Sequence, residues 1–190
     1  MSKRLIFSAK VVNNTKYSAS NPKLLDVGCD KRELKNYLNS QIKYYSIDYP
    51  EIDLEKDKLP FPSKSFDIVC CFGVLEHLKS PYDALKELKR VLKDDGYAFI
   101  SIPNFYFIFN RLKVLFGISM DMTFEVNRHD KHLHFPRLND TRKFVGREFK
   151  IDKEYYFSEF NDINLPTAWL GKLYPDLFCW EMVIKCKRCL

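Results

Sequence analysis

Four short apolar runs, each stopping abruptly at a small, acidic or turn-forming residue, constrain this chain more than anything else in it. They are Lys23-Leu24-Leu25-Asp26-Val27 before Gly28, Tyr44 to Ile47 before Asp48, Phe66 to Val74, and Tyr97 to Ile102 before Pro103-Asn104. Runs of this length and apolarity suit strands buried on both faces, as in a parallel sheet. Asp30 and Glu33 form a capping-box pattern after the first run, and Leu34 and Leu38 share a face of the helix expected there. Ser80-Pro81-Tyr82-Asp83 supplies an N-cap hydroxyl, a proline at the first helical position and an acid in the first turn. Ala84, Leu85, Leu88, Val91 and Leu92 then recur at helical spacing, opposite Lys86, Glu87, Lys89 and Arg90, until Asp95-Gly96 ends the helix. Strand, helix and strand in that order require a right-handed crossover, and ligands then sit outside the carboxyl ends of the strands.

The remainder is less regular. Phe105 to Phe116 is expected to form an amphipathic helix whose apolar face packs on the core or serves as a lid or membrane-surface contact. Leu138 to Glu148 forms a shorter helix, and Lys150 to Phe157 and Phe178 to Lys187 form two final strands, an antiparallel edge with a long connection. With 190 residues, 46% of them hydrophobic, the chain suffices for one core, and neither repeats nor a Gly/Ser linker divide it. It reads as a single domain over 1–190, with a cofactor-binding half (22–104) and a lid and acceptor half (105–190).

No apolar run reaches the roughly 18 to 20 residues that span a bilayer, and the N-terminus lacks signal-peptide features, so the expected location is the cytoplasm. Reduced thiols fit that location, because the cysteines at 29, 70, 71, 179, 186 and 189 form no disulfide framework. Cys186 and Cys189 are half of a zinc site at most, and no metal is expected. The net charge of +6 is scattered among acids, which argues against a specific nucleic-acid partner and leaves peripheral membrane contact open.

The chemistry-bearing residues lie at the strand ends. They are Asp26-Val27-Gly28-Cys29-Asp30, Ile47-Asp48, Asp53-Leu54, Leu59-Pro60-Phe61-Pro62, Ser65-Phe66-Asp67 and Val74-Leu75-Glu76-His77. A glycine turn lets backbone approach a ligand, and an acid after the second strand can accept from two ribose hydroxyls. In this order, from residue 24 to about 104, the chain resembles class I S-adenosylmethionine-dependent methyltransferases, especially the methyltransferase type 11 and methionine-biosynthesis-like group.

The resemblance implies an α/β, Rossmann-like fold. Its mostly parallel, seven-stranded-type sheet is flanked by helices and ends in an antiparallel C-terminal strand pair. It implies S-adenosylmethionine as cofactor, held by Asp26, Gly28, Cys29, Asp48, Asp53, Leu54, Phe72 and Gly73, with Glu55 as a substitute for Asp53 if the register slips. Carbonyls of the third strand's end, and an aromatic face of Phe72, would meet the sulfonium. Glu76, His77 and His134 are the catalytic candidates: the Glu76-His77 pair either orients the cofactor or accepts a proton from an incoming hydroxyl or amine, or else serves only as structural turn residues. His132 and His134 alternate along an extended stretch and so share a side, but as metal ligands they lack a carboxylate partner in register.

Two departures from the family pattern carry expectations. Asp30 and Arg32 stand where further glycines are common, and the stretch from Asp48 to Asp53 leaves no room for the usual helix and strand. The sheet should therefore lack one edge strand and be open on its adenine side. Three functions are compatible with these features to different degrees. The first is methyl transfer to a small-molecule, lipid or glycan-type acceptor. The second is a weakly active or inactive relative acting as a binding partner. The third, a nicotinamide-dependent oxidoreductase, is disfavoured because Gly-x-Gly-x-x-Gly is missing and the Leu-Pro-Phe and Ser-Phe-Asp elements have no role in it.

Overall fold

The structure, a computed structural model, describes residues 3–118, 132–158 and 173–189. Six strands form one sheet in the order β2-β1-β3-β4-β6-β5, comprising β1 (Lys23–Val27), β2 (Lys43–Ile47), β3 (Phe66–Phe72), β4 (Leu92–Pro103), β5 (Phe149–Phe157) and β6 (Glu181–Arg188). The first four are parallel, while β6 runs antiparallel to both β4 and β5. The sheet is thus Rossmann-like with an antiparallel C-terminal pair, and β2 is its outer edge where a seventh strand would otherwise lie.

Helix α1 (Lys3–Asn13) covers one face of the sheet, and α2 (Pro81–Val91) with α4 (Leu138–Val145) covers the other. Side chains in β1 and β3 alternate between these faces, so Leu25, Val27, Val69 and Cys71 join α2 while Leu24, Ile68, Cys70 and Phe72 join α1. Along α2 the i, i+3, i+4 rows place Ala84, Leu85, Leu88 and Val91 inside. Truncating Leu88, which is fully buried, to Ala would cost about 2–5 kcal/mol.

The structure corrects several local expectations. The segment after β1 is only a 3-10 turn, Glu33–Tyr37, with no side-chain cap; its N-cap is Arg32, which, like Asp30, has positive φ. A stretch this short buries Leu34 without the regular α-helix that a capping box would start. The second expected helix ends at Val91, and Asp95-Gly96 falls instead in β4, where the pairing register with β3 shifts between Phe66 and Ile68. Ser80 donates to the Asp83 carboxylate (2.8 Å) instead of capping backbone. Strand β3 ends at Phe72, and Phe178 closes the short helix α5 (Pro175–Phe178), so β6 begins at Glu181.

Helix α3 (Ile108–Leu115) buries none of its residues, and Leu115 and Phe116 are among the most exposed apolar side chains described. The expected packing of this face on the core is therefore not seen among the described residues. Helix α1 was not expected at all.

The Leu-Pro-Phe and Ser-Phe-Asp elements prove to be braces at the far end of the sheet. Arg90 donates to the carbonyls of Leu59 (2.9 Å) and Phe61 (2.8 Å) and is itself held by Glu87. Asp67 accepts from the backbone of Lys23 (2.9 Å) and from Lys93 (2.7 Å), tying the starts of β1, β3 and β4 together. No described helix is long and apolar enough to cross a membrane.

Candidate functional site

Strand order makes the site. From β1 the chain steps outward to β2, then returns past β1 to β3 and continues the other way to β4, so β1 and β3 flank a topological switch point. A cavity of about 550 Å³ opens there, at the carboxyl ends of the strands, within the roughly 300–1,000 Å³ range of ligand sites. Gly28, Asp48, Asp53, Leu54, Gly73, Val74 and His77 are among its lining residues.

Gly28 has φ +75°, and a Cβ there would lie 2.2 Å from Val74 Cγ2. Only glycine allows the turn and Val74 to approach this closely. The Gly28 amide donates to the carbonyl of Ile47 (2.9 Å), which joins the ends of β1 and β2. Beside it the Asp48 carboxylate accepts from the backbone amides of Asp30 and of Tyr49, the latter at 2.8 Å, so the shortened turn fixes its orientation.

Asp53 is held within its own loop, accepting from the Glu55 amide (3.0 Å) and from Lys56 Nζ (2.7 Å). Glu55 accepts from the Lys79 amide, which closes this loop against the segment before α2. Gly73 also has positive φ, and a Cβ there would meet Arg4 Nη1 at 2.8 Å.

Asp26, Cys29 and Phe72 are close in sequence to this rim but are not among the residues lining the cavity. Asp26 is buried facing the α1 side and accepts from the Tyr44 hydroxyl at 2.7 Å. Burial pushes its carboxyl up to about 6 against that hydrogen bond. The Cys29 thiol is likewise pushed up, first by burial and then by the Asp26 and Asp48 carboxylates. The Phe72 ring packs in the α1-side core, so its face is spent on packing rather than offered to a cation.

His77, in the 3-10 turn Leu75–His77, lines the other side, whereas Glu76 and His134 are not among the lining residues. Glu76 is only 2% exposed, and its Oε2 has no hydrogen-bond partner among the described residues. Burial pushes the Glu76 carboxyl up to about 8, opposed by a hydrogen bond from its own backbone and by Arg4, with Glu181 adding to the rise. The Glu76 carbonyl accepts from the amides of Leu133 (2.8 Å) and His134 (3.1 Å), and His134 Nε2 donates to the Leu78 carbonyl (2.8 Å). His134 thus anchors a strap across the turn. The ring that reaches His77 belongs to His132, with centroids 4.6 Å apart.

Sequence reasoning paired His132 with His134 by alternation and missed the carboxylate beside His132. Of the segment His129 to Phe135, which resembles the corresponding part of the same methyltransferase group, residues 129–131 lie outside the described residues. Tyr49 and Ile52 also line the cavity without having been singled out for ligand contact; their signal was proximity to Gly28 and Asp48.

A mixed sheet with four parallel strands and a cavity at its switch point, a glycine turn after the first strand and an acid after the second, defines a Rossmann-like cofactor-binding domain. The chain belongs to the methyltransferase domain family, whose match covers residues 4–146, a family of class I S-adenosylmethionine-dependent enzymes. It is 60% identical over 40 residues to an uncharacterized methyltransferase of Schizosaccharomyces pombe, covering 21% of this chain and 14% of that protein. It is 33% identical over 69 residues to a ubiquinone biosynthesis O-methyltransferase of Glaesserella parasuis, covering 35% of this chain and 29% of that one. The chain thus matches well under half the length of these curated relatives. In fold it is similar to a SAM-dependent methyltransferase from Archaeoglobus fulgidus, with a TM-score of 0.61 at 20% identity over 98% of this chain and 95% of the other. S-adenosylmethionine is the cofactor that this family and fold imply, and the cavity fits it in size, in its glycine approach and in its acid at the end of β2.

Proposed function

We propose that the protein transfers a methyl group from S-adenosylmethionine to a small-molecule, lipid or glycan-type acceptor, acting in the cytoplasm. The observation that carries this reading is the convergence of Gly28, Asp48 and Asp53 on one cavity at the switch point. In this reading Gly28 brings backbone against the methionine portion, and the two oxygens of Asp48 receive the ribose hydroxyls. Asp53 and the backbone of Leu54 meet the adenine, with Lys56 moving off one Asp53 oxygen. Gly73, which lines the cavity, would offer its carbonyl to the sulfonium, while Asp26 and Cys29 act from behind the turn. When bound, the cofactor supplies an already activated methyl, so the chain's own task is chiefly alignment of donor and acceptor.

Glu76, His77 and His134 stand on the acceptor side, where His77 lines the cavity and His134 holds the strap that closes over Glu76. The exposed apolar side of α3 would serve as a lid or membrane-surface contact over this side. A hydroxyl acceptor is the first class to screen, given the O-methyltransferase relative.

Calorimetric titration with S-adenosylmethionine and S-adenosylhomocysteine tests the reading, with reduced nicotinamide cofactor as control. Saturable binding of the first two, weakened at least about a hundredfold in Asp48→Ala, is expected, which corresponds to about 2.7 kcal/mol. A folded wild type that binds neither would overturn the enzyme reading and leave the binding-partner one.

A further inference from the structure

Glu76, His77 and His132 each place one potential ligand atom, a carboxylate oxygen or a ring nitrogen, such that all three lie within 4.8 Å of one another. We propose that these residues bind a first-row divalent transition metal ion at the acceptor-side rim of the cavity. Two imidazoles and one carboxylate are a known donor set for zinc and for iron(II), and three protein ligands leave positions open. Tetrahedral bonds of about 2.0–2.1 Å put donor atoms roughly 3.3 Å apart, so closure from the present spacing requires only small side-chain rotations.

Two independent observations favour an ion over a merely packed cluster. First, Glu76 is buried with Oε2 lacking any described hydrogen-bond partner, a costly arrangement unless a cation or donor completes it. The charge nearby is deficient. Glu181 is also buried, and Arg4, whose field reaches both carboxylates, pairs with Glu181 through Nε at 3.5 Å. One guanidinium therefore faces two buried acids.

Second, the donors are held in register before any ion arrives. The Leu133 and His134 amides both bond the Glu76 carbonyl, which carries the neighbouring His132 over the turn, and Phe105 packs edge-on against the His132 ring at 4.8 Å. Such backbone anchoring limits the ordering cost of binding. The carboxylate partner that His132 lacks in local sequence comes from a turn 56 residues earlier.

Because His77 lines the cavity, an acceptor oxygen could occupy an open position on the ion and lose its proton more readily. That consequence rests on the proposed methyl transfer; ion binding itself does not.

The test uses the full chain, treated with chelator and titrated with Co²⁺, Mn²⁺ or Zn²⁺ alone, without S-adenosylmethionine. One equivalent of Co²⁺ is expected to give a visible spectrum of nitrogen and oxygen ligation. Binding should weaken at least about tenfold in Glu76→Gln and in His132→Ala and stay unchanged in Cys189→Ser. No stoichiometric binding by the wild type, or a thiolate-type spectrum abolished by Cys189→Ser, would overturn the proposal, whether or not the other variants fold. Separate titration with S-adenosylmethionine keeps the two readings apart, since cofactor binding without metal binding sinks only this one.

Discussion

The two walls of the cavity are built on opposite principles. On the β1–β2 side the groups aimed at a ligand are backbone turns and partly exposed carboxylates, already bonded to nearby amides or to Lys56. On the β3 side His77 lines the cavity, and behind it lie carboxylates pulled under the surface and off the lining, Glu76 at 2% exposure and Glu181, from β6, at 1%. The first wall can exchange one set of hydrogen bonds for another at little cost. The second holds ionisable groups out of water and needs compensation from a partner. Binding specificity would then arise where the chain is tightly turned, and chemistry where it is desolvated.

The largest expected effect strikes the turned wall. Gly28→Ala must adopt positive φ and push Val74 aside, which costs about 3–5 kcal/mol when left-handed strain and overpacking are added. Urea unfolding should show that loss. An undiminished midpoint would mean that the turn is looser than described and the contrast between the walls overstated.

Asp26→Asn probes burial behind the same turn, and here the sign favours the variant. The Asp26 carboxyl is raised to about 6 in the folded chain from an ordinary 3.8, chiefly by burial. Its contribution to stability is therefore full below about pH 4 and is lost as pH rises through 6. Asparagine can still accept from Tyr44 and carries no charge. At pH 8 the variant should be more stable by up to about 3 kcal/mol, with the difference shrinking toward zero near pH 4. A gain independent of pH would show that ionisation of Asp26 is not what the fold works against.

How much of this was legible follows from the same contrast. Gly28, Asp48 and the strand ends around them could be read because each sits next to its partner in the chain, and α2 could be read because its apolar positions repeat with a helical period. Asp26 also announced itself, but as a cofactor contact; its burial beside Tyr44 depends on pairing between β1 and β2. The Ser-Phe-Asp element looked functional by resemblance, whereas Asp67 serves as a tie between strand starts. Helix α1 escaped notice because only Ser8, Ala9, Val11 and Val12 are buried along it, a weak stripe in a basic segment. For α3, periodicity revealed an apolar face but could not say what covers it. The meeting of Glu76 with His132 lay beyond local pattern altogether, since a strap distant in sequence creates it.

The smallest expected effect tests whether that strap belongs to the desolvated wall alone. His134→Ala removes the bond from Nε2 to the Leu78 carbonyl and should cost about 1 kcal/mol. Its sharper signature is local: the Leu133 and His134 amides, both bonded to the Glu76 carbonyl, should exchange hydrogen faster, while the Gly28 amide, bonded to Ile47, should not change. Affinity for S-adenosylmethionine should then stay within about twofold of wild type, because none of the lost contacts lies on the turned wall. If Gly28 exchange rises together with that of the strap, the two walls open as one cooperative unit, and their division of labour is a division of chemistry only, not of stability.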